Sequence, residues 1–215
     1  DVLMRKGVYP NLPNFPFVLG QDVVGFIYSK GDDVKNLDIG QRVLAHMSSG
    51  GYSEFSYLTE NNVIPVSKTI DGASLVCLPL NYVTAYQLLN RITNIKNNAT
   101  ILVHGGAGGV GHIAIQLARK HGARVATTVS SEEKAKVARG LGAEDIIFYR
   151  DEKVEDYTQR LTKGKGFDAV FDTIGAGNLD KSLEAVKVSG QVIGIIGGNK
   201  HDLTPMHMKG LSLHL

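Results

Sequence analysis

Two rhythms divide the chain. Up to about residue 90, short β-rich runs ("VVGFIYS", "QRVLAH", "YSEFSYL", "NNVIPV") stand between Gly, Asp, Asn and Pro, the pattern of an irregular, mostly antiparallel β domain. Residues 72–94, "GASLVCLPLNYVTAYQLLNRITN", then place apolar side chains three and four apart, which predicts helix, kinked or divided at Pro79. From Ala99 the period switches repeatedly: strand "TILVHG", helix "HIAIQLARKHG", strand "ARVATTV", helix "EEKAKVARGLG", strand "DIIFY", helix "VEDYTQRLTKG", strand "DAVFDTI", helix "LDKSLEAVKVSG", strand "QVIGIIG" and a last "LSLHL". Strands and helices of these lengths in alternation imply right-handed crossovers and a parallel sheet covered on both faces. The expected fold class is α/β: a β domain with its connecting helices over residues 1–95, then a doubly wound parallel sheet over 96–215.

The turn after the first of these α/β strands carries the chemistry. Five glycines fall within residues 105–111, and Gly106-Ala107-Gly108-Gly109-Val110-Gly111 fits G-x-G-x-x-G between a strand and a helix. In that setting the first glycine permits the tight turn, the second lets backbone approach a pyrophosphate, and the third lets helix pack on strand. The helix start then offers unpaired N–H groups and the positive end of its dipole to the phosphates. Dinucleotide binding is the expectation. An acid ending the second strand would grip the ribose 2′-hydroxyl of NAD, but "ATTVSSEEK" holds none from Thr127 to Ser131, and Lys134 lies one helical turn on. That pattern favours a 2′-phosphate, hence NADPH. Against it, Ser130 with Glu133 also reads as a capping box, Lys134 as a solvated helix lysine, and Glu132 and Glu133 stand close by.

Composition narrows the remaining classes. The chain has 215 residues, 43% of them hydrophobic and 20% charged, with a formal charge of +2 and no cluster of five Lys or Arg; nucleic acid and anionic lipid are therefore disfavoured partners. Cys77 is the single cysteine, which excludes an intrachain disulfide and a multi-thiolate zinc site and makes a reducing, cytoplasmic compartment the default. The longest apolar runs are too short to span a bilayer. Asp1 in first place and the cut-off "LSLHL" suggest a piece of a longer chain.

Several segments in order resemble the medium-chain dehydrogenase/reductase superfamily, and within it the zinc-independent quinone oxidoreductase (zeta-crystallin-like) branch: "FPFVLGQDVVGFI", "IGQRV", "GGYSEF", "NYVTAYQLL" and "GGAGGVGHIAIQLAR". The resemblance runs through nearly all of the chain. It implies a GroES-like β domain, incomplete here, followed by a Rossmann domain that lacks its C-terminal return segment. Gln21 and Asp22 stand where the zinc-dependent members have a ligand His and a Glu, and a neutral amide is a poor zinc ligand; no metal is expected. The seven histidines share no spacing that suggests a replacement site, and each reads as a surface or packed residue.

Without a Lewis acid, hydride transfer to a quinone or an α,β-unsaturated carbonyl asks least of the protein, because the acceptor delocalises incoming charge. The resemblance implies that Tyr9 lines the substrate cleft, that Asp1 is the acid of a family turn, and that Leu3 replaces a second cleft tyrosine of some members. It further implies Thr84 near the nicotinamide and Ser130, Lys134 and Tyr149, with Arg150 assisting, around the 2′-phosphate. Gly197 and Asn199, in the loop ending the fifth strand, are expected to edge the nicotinamide pocket. Cys77 is expected to be a buried, inert thiol. The final apolar strand implies a homodimer through edge pairing. Two alternatives stay open: reduction of 2-enoyl thioesters, and a largely non-catalytic NADPH-binding or structural protein.

Overall fold

A computed structural model describes residues 1–9, 12–93, 95–195 and 200–215. Two units divide between Asn81 and Tyr82. In the first, a short helix α1 (Val2–Arg5) precedes the antiparallel strands β1 (Asp22–Phe26), β2 (Arg42–His46) and β3 (Val63–Pro65), adjacent in that order. The run "YSEFSYL" forms no strand. Alternation supplies a pleated face, but a strand also needs a neighbour for its backbone hydrogen bonds, and β1–β3 close their sheet without this segment, leaving Phe55 and Tyr57 exposed.

Helix α2 (Gly72–Val76) starts where the Asp71 carboxylate accepts the Ser74 N–H at 2.9 Å. Pro79 opens helix α3 (Pro79–Tyr86), where its missing N–H leaves no bond unmade, so the expected division of the helical run occurs there. A turn of π-helix follows over Gln87–Ile92. Ala85, Leu88 and Leu89 bury themselves in the core of the second unit, and the units divide within α3.

The second unit alternates β4 (Thr100–His104), α4 (Gly109–Lys120), β5 (Arg124–Val129), α5 (Glu132–Gly140), β6 (Asp145–Phe148), α6 (Val154–Thr162), β7 (Phe167–Asp172), α7 (Asn178–Ala185), β8 (Val186–Gly194), α8 (Thr204–Lys209) and β9 (Ser212–His214). Six parallel strands lie in the order β6-β5-β4-β7-β8-β9. Side chains alternate between faces: Ile101, Val103, Val125 and Phe171 pack with α4 and α5, while Leu102, Ala126, Val170 and Val192 pack with α6 and α7. The chain order reverses between β4 and β7. In an open α/β sheet a ligand crevice lies beyond the carboxyl ends of the strands at that reversal.

One boundary differs from expectation. Helix α7 stops at Ala185 and β8 begins at Val186, so "VKVSG" is strand rather than helix. Val186 and Val188 favour extended backbone, and Lys209 seals the helix end by donating from Nζ to the carbonyls of Leu183, Glu184 and Val186 at 3.0, 2.7 and 3.0 Å. Burial lowers the Lys209 pKa, opposed by Glu184. Lys209→Met strands those carbonyls and is expected to lower the unfolding free energy by about 1–2 kcal/mol, measured by urea denaturation; an unchanged midpoint would show the cap to be idle.

Candidate functional site

The site grows from β4. Ile101, Leu102 and Val103 are fully buried and fix the strand in mid-sheet. Gly105, at φ +72°, reverses the chain, and the Gly108 N–H closes the turn on the Gly105 carbonyl at 2.9 Å. A Cβ at Gly106 would lie 2.0 Å from Thr127 Oγ1 and 2.8 Å from the Ile115 side chain. At Gly111 it would lie 2.3 Å from the Gly105 carbonyl oxygen. Both glycines are thus demanded by close packing of loop, second strand and helix. Gly108 and Gly109 are exposed, Ala107 and Val110 half-buried, and among the described residues no side chain caps the first turn of α4. Its leading N–H groups stay open to an anion, so the cradle fits a pyrophosphate.

Beside it, Ser130 directly follows β5. Helix α5 is capped by Ser131, whose Oγ accepts the Lys134 N–H at 3.4 Å. The capping box read at Ser130 and Glu133 is therefore corrected: the cap sits one residue later, and the Ser130 hydroxyl instead accepts from Lys134 Nζ at 3.1 Å. Glu132 turns to Arg139, 2.5 Å away. Tyr149 follows β6, its N–H reaching the Val129 carbonyl at 3.4 Å, and the Arg150 guanidinium lies 5.7 Å from its ring centroid. Pairing of Val129 with Phe148 places Ser130 and Tyr149 at neighbouring strand ends. Ser130, Lys134, Tyr149 and Arg150 make a basic corner.

A polar network lies beneath the loop. His104, only 3% exposed, places Nδ1 3.2 Å from Thr128 Oγ1, which also accepts the Gly105 N–H at 3.1 Å. The Thr173 hydroxyl donates to the His104 carbonyl at 2.7 Å. Asp172 is fully buried and accepts four bonds: the Ile174 and Gly175 N–H groups at 2.9 Å each, the Asn178 amide at 3.1 Å and the Ser182 hydroxyl at 2.8 Å. Burial alone would raise its pKa, yet the bonds from Gly175, Ile174 and Ser182 outweigh that and hold the carboxyl below its usual range. Burial pushes the His104 imidazole down to about 4, against the pull of Asp172, so the ring is neutral at pH 7. Thr128 has no place in the expected site, whereas Thr173 belongs to the loop 172–177 expected, like the loop ending the fifth strand, to edge the nicotinamide pocket. Small hydroxyl residues at strand ends carry no signal until the strands are set side by side.

Known proteins match this architecture. The alcohol dehydrogenase GroES-like domain family matches residues 1–68 and the zinc-binding dehydrogenase family residues 109–214. A quinone oxidoreductase of Rattus norvegicus is 32% identical over 194 residues, 90% of this chain and 59% of the relative. A 2-haloacrylate reductase of a Burkholderia species is 35% identical over 178 residues, 81% of this chain and 54% of the relative. The structure of Escherichia coli quinone oxidoreductase complexed with NADPH aligns at TM-score 0.89 and 29% identity, covering 99% of this chain and 67% of that one. The chain belongs to the medium-chain dehydrogenase/reductase superfamily, in its quinone oxidoreductase branch. It spans about three fifths of the length of the rat relative.

Thr84 is half-buried on α3, next to Ala85, which enters the core that α4 also lines. Gly197 and Asn199 lie outside the described residues. In the first unit, Tyr9 is 38% exposed and follows the turn closed by the Val8 N–H on the Leu3 carbonyl at 3.1 Å. Asp1 accepts the Tyr52 hydroxyl at 2.6 Å and the Gly20 N–H at 3.4 Å. His46 Nδ1 meets Asp22 at 2.7 Å across β1 and β2. Among the described residues no three His, Cys, Asp or Glu side chains converge as metal ligands would. Cys77 corrects an expectation: it is exposed, because it ends α2 while Leu75 takes the buried position.

Proposed function

We propose that this chain reduces quinones or α,β-unsaturated carbonyls with NADPH, by hydride transfer and without zinc. The observation that carries the reading is an open glycine cradle at the sheet's reversal point beside a basic corner in which Ser130 faces Lys134 and Glu132 is drawn off to Arg139. A 2′-hydroxyl calls for an acid there; a 2′-phosphate calls for cations and hydroxyls. The names of the relatives, and the NADPH in the Escherichia coli structure, support the same reading.

The bound nicotinamide would supply the hydride. The N–H groups that lead α4, from Gly109 on, would hold the pyrophosphate, and Ser130, Lys134, Tyr149 and Arg150 would hold the 2′-phosphate. On the family resemblance, Thr84, Gly197 and Asn199 serve the nicotinamide end, and Tyr9 offers its hydroxyl to the substrate. Gln21 is a poor zinc ligand, and a conjugated acceptor needs no Lewis acid to spread the arriving charge. A 2-haloacrylate is itself a conjugated acceptor, so that relative falls within the same reaction class. The single cysteine supports a cytoplasmic setting, and the outer edge of β9 supports a homodimer.

The test is oxidation of NADPH and NADH by metal-free protein against 9,10-phenanthrenequinone, 1,4-benzoquinone, a short 2-enal and a 2-enoyl-CoA. Quinone- or enal-dependent turnover that prefers NADPH is expected. Tight NADPH binding with no turnover would replace the enzyme by a binding protein; preference for the thioester would move it to 2-enoyl reduction. Lys134→Ala should raise the NADPH KM roughly 10- to 100-fold, the worth of one charge-assisted bond, and leave the NADH KM unchanged. An equal rise for both cofactors would remove Lys134 from the phosphate.

A further inference from the structure

We propose that His104 is the positioning residue of the nucleotide site, holding both rims of the crevice between β4 and β7: the glycine loop through Thr128, and the loop after β7 through its own carbonyl. The inference rests on reading the glycine loop as an NADPH cradle. The donors and acceptors fix the arrangement. Gly105 gives its N–H to Thr128 Oγ1 at 3.1 Å, and the hydroxyl's one hydrogen is then free for His104 Nδ1 at 3.2 Å. In the tautomer we propose, the imidazole accepts at Nδ1 and its own proton sits on Nε2.

That Nε2 is buried and has no hydrogen-bond partner among the described residues, a penalty that leucine or phenylalanine at the same place would not carry. Asp172, paired with His104 in the β4–β7 register, cannot relieve it, because its oxygens already accept four bonds. The ring is therefore poorly used as filler and well used as a tie. Across the reversal point the Thr173 hydroxyl closes on the His104 carbonyl at 2.7 Å, and a Cβ at Gly105 would strike Thr173 Oγ1 and the Ile174 side chain at 2.9 and 2.8 Å. The two rims meet at Gly105, and β4's last residue fastens both.

The experiment compares His104→Phe, His104→Asn, Thr128→Val and Thr128→Ser with the parent, each first checked for cooperative melting. NADPH dissociation constants come from fluorescence titration, and amide exchange of residues 105–111 is followed without nucleotide. His104→Phe and Thr128→Val are expected to weaken NADPH binding about tenfold, raise KM with kcat little changed, and speed exchange of the loop. His104→Asn, whose amide sits where Nδ1 was, and Thr128→Ser should stay within about threefold of the parent. The Phe/Val double variant should be no weaker than either single, since both cut one tie. Parent-like binding and exchange in His104→Phe, or Asn and Phe variants that behave alike, would overturn the proposal, and if His104→Phe fails to fold, the Thr128 pair decides it. A parent that binds no NADPH overturns the functional reading instead, while the exchange comparison still decides whether His104 positions the loop.

Discussion

Replacing Gly111 by alanine should abolish NADPH binding in a chain that still folds. The added Cβ would sit 2.3 Å from the Gly105 carbonyl oxygen, 2.9 Å from its carbon and 3.0 Å from Gly106 Cα. All three are backbone atoms of the loop, so no rotamer change can make room. Helix α4 must withdraw from β4 by on the order of 1 Å, an overpacking strain of about 1–3 kcal/mol. The same displacement carries the leading N–H groups away from where a pyrophosphate would lie, and an error of that size at a binding site removes roughly 100-fold or more. Gly140→Ala is the control: no atom of the described residues lies within 4 Å of a Cβ there, and alanine in a helix is worth about 0.5–1 kcal/mol over glycine. Urea denaturation and NADPH fluorescence titration measure the two effects separately. Binding by Gly111→Ala within threefold of the parent would mean that the phosphates do not sit on this helix.

Acidification from pH 7 to pH 4 should lower the unfolding free energy by about 3 kcal/mol through His104 alone. Burial holds the folded imidazole down at about 4, against 6.5 in the unfolded chain. Between those values the unfolded chain binds a proton that the folded chain refuses, so stability rises with pH across this window. Asp172 acts lower: its folded carboxyl is held below the ordinary range, so its contribution persists above the unfolded carboxylate pKa and is lost only below it. The other histidines are separated by difference. His104→Asn removes the titrating group and, on the proposal above, keeps the acceptor for Thr128. Subtracting its pH profile from the parent's, by urea denaturation between pH 4 and 7.5, should leave a curve that climbs most steeply between 4 and 6.5. A flat difference would mean that water reaches the ring and that Nε2 is not buried dry.

How far the sequence could be read depended on the range of the interactions involved. The glycine loop was legible because its conformation is decided within a dozen residues: strand end, left-handed Gly105, cap at Gly108 and helix all follow from neighbours in the chain. Ser130 was legible as a residue type but not in its role, because whether Ser130 or Ser131 caps α5 turns on one residue of strand overhang, which pairing with β6 sets. "YSEFSYL" and the end of α7 were misjudged for related reasons. Strand formation is a property of a pair, and the stop at Ala185 is reinforced by Lys209, a residue far along the chain.

By itself, then, the amino-acid order determined the two-part plan, the alternation that makes a parallel sheet, and the phosphate loop, since each is written in local period and backbone freedom. Only the tertiary structure decided that β7 returns beside β4, that Asp172 is sated by the loop and helix that follow it, and that His104, Thr128 and Thr173 meet under Gly105. Those contacts join residues up to 69 positions apart. A hydrogen bond acts over about 3 Å, and no reading of sequence spacing reaches that distance until the sheet has brought its strands together.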